Sequence, residues 1–208
     1  VFLFTLLHEA SHQTPFRSAW LNTLAAHVSG LVIGLPPRWF RYFHFAHHRY
    51  TQMPGKDPEL AEAKPETWGQ YLRHISGIPV WIGHVRTLIR NAAGRCEDDY
   101  VPVAKRRAVR DEARVMIGIY LALLAASLAL RTPVLVFVWL LPMLLGQPFL
   151  RLYLLAEHGR CAFVANMLEN SRTTFTNSVV RRLAWNMPYL HLLHLCRHPP
   201  TTPCCPAT

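Results

Sequence analysis

Charge is scarce in this chain, and acidic charge scarcest of all. Charged residues make up 16% of its 208 residues, with 12 Asp and Glu against 22 Lys and Arg. An ordinary soluble domain carries about 25%, so a large solvated surface is not expected. The five cysteines (Cys96, Cys161, Cys196, Cys204, Cys205) form no CxxC pair and no even framework. They read as free thiols in a reducing setting rather than a disulfide scaffold or zinc ribbon. No signal-peptide pattern and no internal repeat is present. The net charge of +10 sits almost entirely in the segments between apolar runs. That suits a membrane protein with a basic cytoplasmic face better than a nucleic-acid binder on a soluble module. The chain opens on the apolar run Val1 to Leu7 without an initiating Met, which reads as the end of a helix that begins upstream.

What is abundant is apolar sequence, 51% of the chain. Val115 to Leu130 and Pro133 to Leu150 carry no charge, and each approaches the roughly 17–25 residues that span a bilayer. Arg131-Thr132-Pro133 separates them, so the pair predicts a helical hairpin whose outer ends return to one side. Lys105, Arg106, Arg107, Arg110 and Arg114 precede it, and Arg151 and Arg160 follow. The excess of basic residues at both outer ends assigns that side to the cytoplasm. Ser18 to Pro37 is a third uncharged stretch, but it holds Asn22 and His27 and stops at Pro36-Pro37. Ile75 to Ile89 is short and carries His84 and Arg86, which suits a helix lying in the interface. Met53 to Lys64 reads as a polar loop, and Pro199 to Thr208 as an irregular tail.

Histidine occurs 12 times, in clusters. His8-Glu9-Ala10-Ser11-His12 sets two imidazoles at i and i+4, on one face of a helix, where both can bind one metal. Alone, this is equally the HExxH pattern of zinc proteases, or a pair of core histidines. His44-Phe45-Ala46-His47-His48 puts three imidazoles on one helical stripe. Packing explains that poorly, because each buried ring needs a hydrogen-bond partner; flanking Phe43 and Phe45 speak against a solvated run. If Ser18–Pro37 crossed a bilayer, the two clusters would lie on opposite faces. Either they are unrelated, or that stretch is a re-entrant or interfacial pair, which the Pro-Pro break favours. His158 stands at the end of the hairpin's second helix, on the same side by parity; a lone His there is more often a cap.

HEASH, then HFAHH 36 residues later, a long hairpin, an isolated His and a late His-rich segment together resemble the membrane fatty-acid desaturases. The wording His48-Arg49-Tyr50-Thr51, Lys56-Asp57-Pro58-Glu59 and Arg172-Thr173-Thr174-Phe175-Thr176-Asn177 is similar to bacterial members. The resemblance covers residues 1 to about 189. It implies two Fe ions held by histidines from three boxes plus one extra. The matching positions are His8 and His12, then His44, His47 and His48, then His158. The third box should follow Asn186-Met187-Pro188-Tyr189 as HxxHH, but the chain reads Leu190-His191-Leu192-Leu193-His194. Only His194 falls in register; His191 is one place out and His198 matches nothing. A reading-frame shift near codon 190 would account for both this box and the tail.

The expected architecture is an all-α, multi-pass integral membrane bundle. Residues 1–198 form a desaturase-like domain and 199–208 an irregular tail, with the di-metal site on the cytoplasmic side. The resemblance implies an oxidoreductase of lipid metabolism that uses O₂, acts on a fatty acyl substrate in the lipid bilayer and takes electrons from a separate donor protein. Glu9, Glu157 and Asp57 are candidates to orient the imidazoles from behind. Lipid hydroxylases and carotenoid ketolases share the same metal chemistry. An intramembrane zinc protease using His8, Glu9 and His12 is a second reading, though it leaves HxxHH unexplained. A remnant with a defective third box, holding little metal, is a third.

Overall fold

The computed structural model describes residues 2–61, 64–158, 161, 163–164 and 177–183. Among these there is no strand; the described residues are largely helical, as the long apolar runs and the helical spacing of the histidine motifs predict. The helices are α1 (Phe2–Ser11), α2 (Ala19–Ile33), α3 (Pro37–Tyr50), α4 (Trp68–Ile75), α5 (Ile78–Ala92), α6 (Val103–Ala129), α7 (Leu141–His158) and α8 (Ser178–Leu183). A 3₁₀ turn covers Pro58–Ala61, and a π-helical segment, Val136–Leu140, leads into α7.

The break between α2 and α3 is written in the sequence. Pro cannot donate and restricts the residue before it, so a helix stops ahead of Pro36 and restarts with Pro37 in its first turn. Gly34 takes the left-handed conformation (φ 72°) that closes α2, and its N–H bonds to Gly30 O. Gly30 itself is needed for closeness: a Cβ there would lie 2.5 Å from Leu35 O. The two helices meet at 98°, so the stretch between the histidine clusters is a bent pair rather than one straight rod.

The hairpin forms where Arg131-Thr132-Pro133 predicts it. Arg131 adopts φ 48°, while Arg131 N bonds to Leu128 O and Thr132 N to Ser127 O. That is the paired capping pattern of a Schellman turn, with Pro133 next to forbid continuation. Val103–Ala129 and Val136–Ala156 are long and apolar enough to cross a membrane, and only 17% and 11% of their apolar windows are buried by protein. The basic run from Lys105 to Arg114 lies inside α6 and extends it beyond the apolar stretch. The apolar run expected over Ile75–Ile89 is split at Ser76-Gly77: α4 ends, and α5 begins with Gly77 in a left-handed N-cap.

The two long helices grip the end of α2. Its last carbonyls have no intrahelical donor. Tyr120 OH donates to Leu31 O at 2.7 Å and Trp139 Nε1 to Val32 O at 2.6 Å. Lower down, Glu112 of α6 accepts from Arg38 N at 2.9 Å, which caps α3 with a carboxylate, and lies 3.1 Å from His27 Nε2. The main core packs Leu7 and Ala10 of α1, Ala26 of α2, Leu35, Trp39 and Phe40 against Cys96, Val101 and Val109. Trp39 Nε1 and Arg90 both donate to Asp98, pinning the loop before α6 onto α3 and α5.

Candidate metal centre

α1 delivers His8 into the core edge because its neighbours Leu7 and Ala10 are fully buried against α2 and α3. The helix stops at Ser11, so His12 sits on the following turn and not, as the i, i+4 spacing suggests, on the helix itself. The turn is stitched locally: His12 N and Thr14 N bond to Glu9 O, Gln13 takes φ 62°, and Thr14 Oγ1 donates to the Glu9 carboxylate. Local hydrogen bonding by polar side chains wins over helix continuation here. The His12 ring nevertheless turns back to its partner, 5.2 Å between centroids.

α3 is amphipathic. Trp39, Phe40, His44 and His47 form its buried stripe. Phe45, flanking the histidines, points outward beneath Arg41, so it is no guide to their burial. The 98° bend lays this stripe across the end of α1. His8 and His44 come to 4.1 Å between ring centroids, and His44 and His48 to 4.3 Å. His12 Nε2 and His48 Nε2 each lie 2.9 Å from His44 Nε2. One ring nitrogen from each of His8, His12, His44 and His48 falls within 4.8 Å of every other.

This donor set fits a metal better than it fits itself. A ring nitrogen carries either one proton or one lone pair, so His44 Nε2 can hydrogen-bond to one of its two neighbours at a time. A cation at the centre would be bonded by all of them. Burial pushes the His44 pKa well below its ordinary value, and the surrounding histidines push it further, so the ring is neutral and its lone pair available. An all-imidazole set suits iron, copper, nickel or zinc over calcium or magnesium. The zinc-protease arrangement does not match. Glu9 is engaged with Thr14, and the further nitrogens come from α3 rather than from a carboxylate.

His47 faces the same region from one side, 5.8 Å from His48 by ring centroids, but stands outside the four-residue group. Its Nδ1 lies 2.9 Å from Asp57 Oδ1 in a buried contact. Asp57 is set by the loop and 3₁₀ turn: it accepts from Gln52 N at 2.8 Å and Glu59 N at 2.9 Å. Burial pushes the Asp57 pKa up, but the bonds from His47 and the two backbone amides outweigh it and hold the carboxylate ionised. A carboxylate behind an imidazole fixes its tautomer and direction, the role that KDPE suggested for Asp57. His158 is the last residue of α7, but its side chain, the Glu157 side chain and His194 lie outside the described residues.

Two features escaped the sequence. The Phe40 ring stacks on His44 at 5.3 Å and 11°, closing one side of the cluster; its place four residues before His44 was the available signal. Behind Phe40 lies a cavity of about 390 Å³ that also touches α5 and α7.

Comparison with known proteins agrees with this geometry. The family model described as fatty acid desaturase matches residues 1–194. The sn-1 oleoyl-lipid 12-desaturase of Picosynechococcus sp. is 30% identical over 89 residues, 39% of this chain and 26% of that protein. The match thus spans about a quarter of that relative's length. No solved structure matches the chain. The motif spacing, the converging histidines and the extent of the match together place the chain in the fatty acid desaturase family.

Proposed function

We propose that the chain is a membrane-bound, histidine-ligated di-iron oxidoreductase that uses O₂ to desaturate fatty acyl chains. The observation that carries this reading is the convergence of four imidazoles from two separate motifs in a chain of this family. His8, His12, His44 and His48 are the central ligands; His47, His158 and His194 add to them, toward a set for two irons. Iron held there would supply the O₂ activation that an unactivated C–H bond requires. The chain's own residues provide the rest. Burial keeps His44 neutral, Asp57 aims His47, and the Phe40 ring keeps water from one side of the cluster.

In this reading Val103–Ala129 and Val136–Ala156 cross the bilayer, while α2 and α3 dip in and return. Lys105, Arg106, Arg107 and Arg110 mark the cytoplasmic side. They also offer a basic face to an acidic electron-donor protein. Leu190 and Leu193 stand where the family pattern places imidazoles, so the ligand set of this chain is short and its iron loosely held.

The test is metal analysis of the detergent-purified full chain, with acyl-chain analysis of the host lipids. Iron should exceed every other metal but stay below two per chain. His44→Ala should bring it to background without loss of helix by circular dichroism. Leu190→His with Leu193→His should raise it. Stoichiometric zinc, or iron unmoved by His44→Ala, would sink the reading.

A further inference from the structure

Glu112 of α6 is buried where α2 and α3 approach that helix, just before the uncharged run that starts at Val115. Its Oε2 accepts from Arg38 N at 2.9 Å, which caps α3. Its Oε1 is shut off from solvent and takes no other hydrogen bond among the described residues; His27 Nε2 stands 3.1 Å from it. The second nitrogen of that ring, Nδ1, lies 2.7 Å from Thr23 O. A carbonyl oxygen only accepts, so Nδ1 carries a proton. An ionised carboxylate also only accepts, so the Nε2 contact is attractive only when Nε2 carries one too. A ring with both protons is an imidazolium. A neutral ring, its one proton on Nδ1, would turn its lone pair toward a buried carboxylate oxygen. Glu112 and Arg38 are the charged groups that act on this ring. Arg38 Nε is 3.8 Å from Oε1 on a half-exposed side chain, too far and too exposed to replace the ring's proton. The Glu112 contact raises the His27 pKa, more than burial lowers it.

We propose that His27 and Glu112 are a positioning pair for the histidine cluster: a proton held on His27 Nε2 ties α2 to α6 and fixes the carboxylate that aims α3. Arg38, whose N–H that carboxylate accepts, lies in the first turn of α3, the helix that carries His44 and His48. A carboxylate in that place is held by the backbone N–H and the helix dipole together. Moving Glu112 therefore moves the start of α3. The tie is complete below the usual histidine pKa and is lost as pH rises through the raised value of His27. Above it Glu112 keeps its charge, remains buried and has lost the ring's countercharge. The metal site thus gains a pH dependence that does not come from its own ligands. That α3 carries metal ligands rests on the function proposed above; the proton on His27 does not.

The test compares the detergent-purified full chain with Glu112→Gln and His27→Phe. A glutamine can donate to a neutral Nε2 and still accept from Arg38 N, so Glu112→Gln keeps the tie without the extra proton. Nitrogen-15 histidine spectra, with His27 assigned by its loss in His27→Phe, follow the ring directly. His27 should give up its second proton at higher pH in the unaltered chain than in Glu112→Gln. Between pH 6.5 and pH 8.5 the thermal midpoint of the unaltered chain should fall by roughly 2–4 °C more than that of Glu112→Gln. His27→Phe should be less stable at pH 6.5 and share the shallower slope. Cobalt(II), titrated as a probe of the cluster, should bind the two chains alike at pH 6.5 and the unaltered chain severalfold more weakly at pH 8.5. Taking the ratio at each pH removes the titration of the ligands themselves. His44→Ala should lose the cobalt and keep both the His27 titration and the midpoint slope, which separates failure of this proposal from failure of the metal reading. A His27 that titrates alike in the unaltered chain and in Glu112→Gln, a His27→Phe slope as steep as that of the unaltered chain, or a cobalt ratio equal at both pH values would overturn the proposal.

Discussion

The half of the molecule around the histidines and the half made by the hairpin bury themselves by opposite means. Around α1 and α3 the protein covers its own groups: Leu7 and Ala10 have no exposed surface, and His8, His44, His47 and Asp57 are all buried beneath neighbours. Along α6 and α7 the apolar residues face outward, with Leu121 60% and Leu145 62% exposed. A water-soluble protein does not leave patches of that size bare. The difference shows where each half gets its stability. The site half draws it from packing and buried polar contacts; on the proposed topology, the hairpin half draws it from a solvent as apolar as itself.

That contrast can be broken at named residues. Among changes that leave every imidazole in place, the largest effect on metal binding is expected at Asp57, whose contact with His47 belongs to the site half alone. Asp57→Ala should cost about 10- to 100-fold in metal affinity, the usual penalty for losing a carboxylate behind a metal-bound imidazole. Equilibrium metal titration reads it, and membrane insertion should be unchanged. Next comes Leu145→Lys, with the opposite signature. A lysine near the centre of a spanning helix costs about 3 kcal/mol, so a glycosylation-reporter insertion assay should show the second span failing. The same change made for a solvated residue such as Arg49 should do nothing there.

Smaller effects probe the joint between the halves. Gly30→Ala pushes a Cβ to 2.5 Å from Leu35 O, which the bend can relieve only by opening. A loss of about 1–3 kcal/mol in thermal or denaturant stability is expected, together with weaker metal binding. Equal stability of the alanine variant would show that the bend is not set there. Tyr120→Phe removes one donor from Leu31 O and should cost about 1 kcal/mol, visible as faster hydrogen exchange in the last turn of α2.

Much of this was legible in residue order. His44, His47 and His48 announce a special face of α3 because three imidazoles at helical spacing have no ordinary packing role, and Pro36-Pro37 announces the bend because proline cannot continue a helix. Arg131-Thr132-Pro133 likewise predicts the hairpin. What was illegible depends on contacts between distant segments or on competition within a turn. The i, i+4 spacing of His8 and His12 gives no hint that Thr14 and Glu9 end the helix between them. Nothing in the sequence marks Gly30 as the glycine that must stay small, because Leu35 O in the linker and the Pro37 ring close on it only once the bend has formed. His84 and Arg151, 67 positions apart by their numbers, come to line one cavity only once the chain has folded.

The grip on the end of α2 also sets an order of assembly. The four clustered histidines all lie between positions 8 and 48, so short-range chain closure can bring them together before the hairpin has been made. The carbonyls of Leu31 and Val32 must wait for donors 89 and 107 positions further on. Until Tyr120 and Trp139 emerge, the bend that aims α3 at α1 has no lock at its far end. The histidine cup thus closes through contacts near in sequence, while the lock on its far end depends on α6 and the π-helical segment that leads into α7.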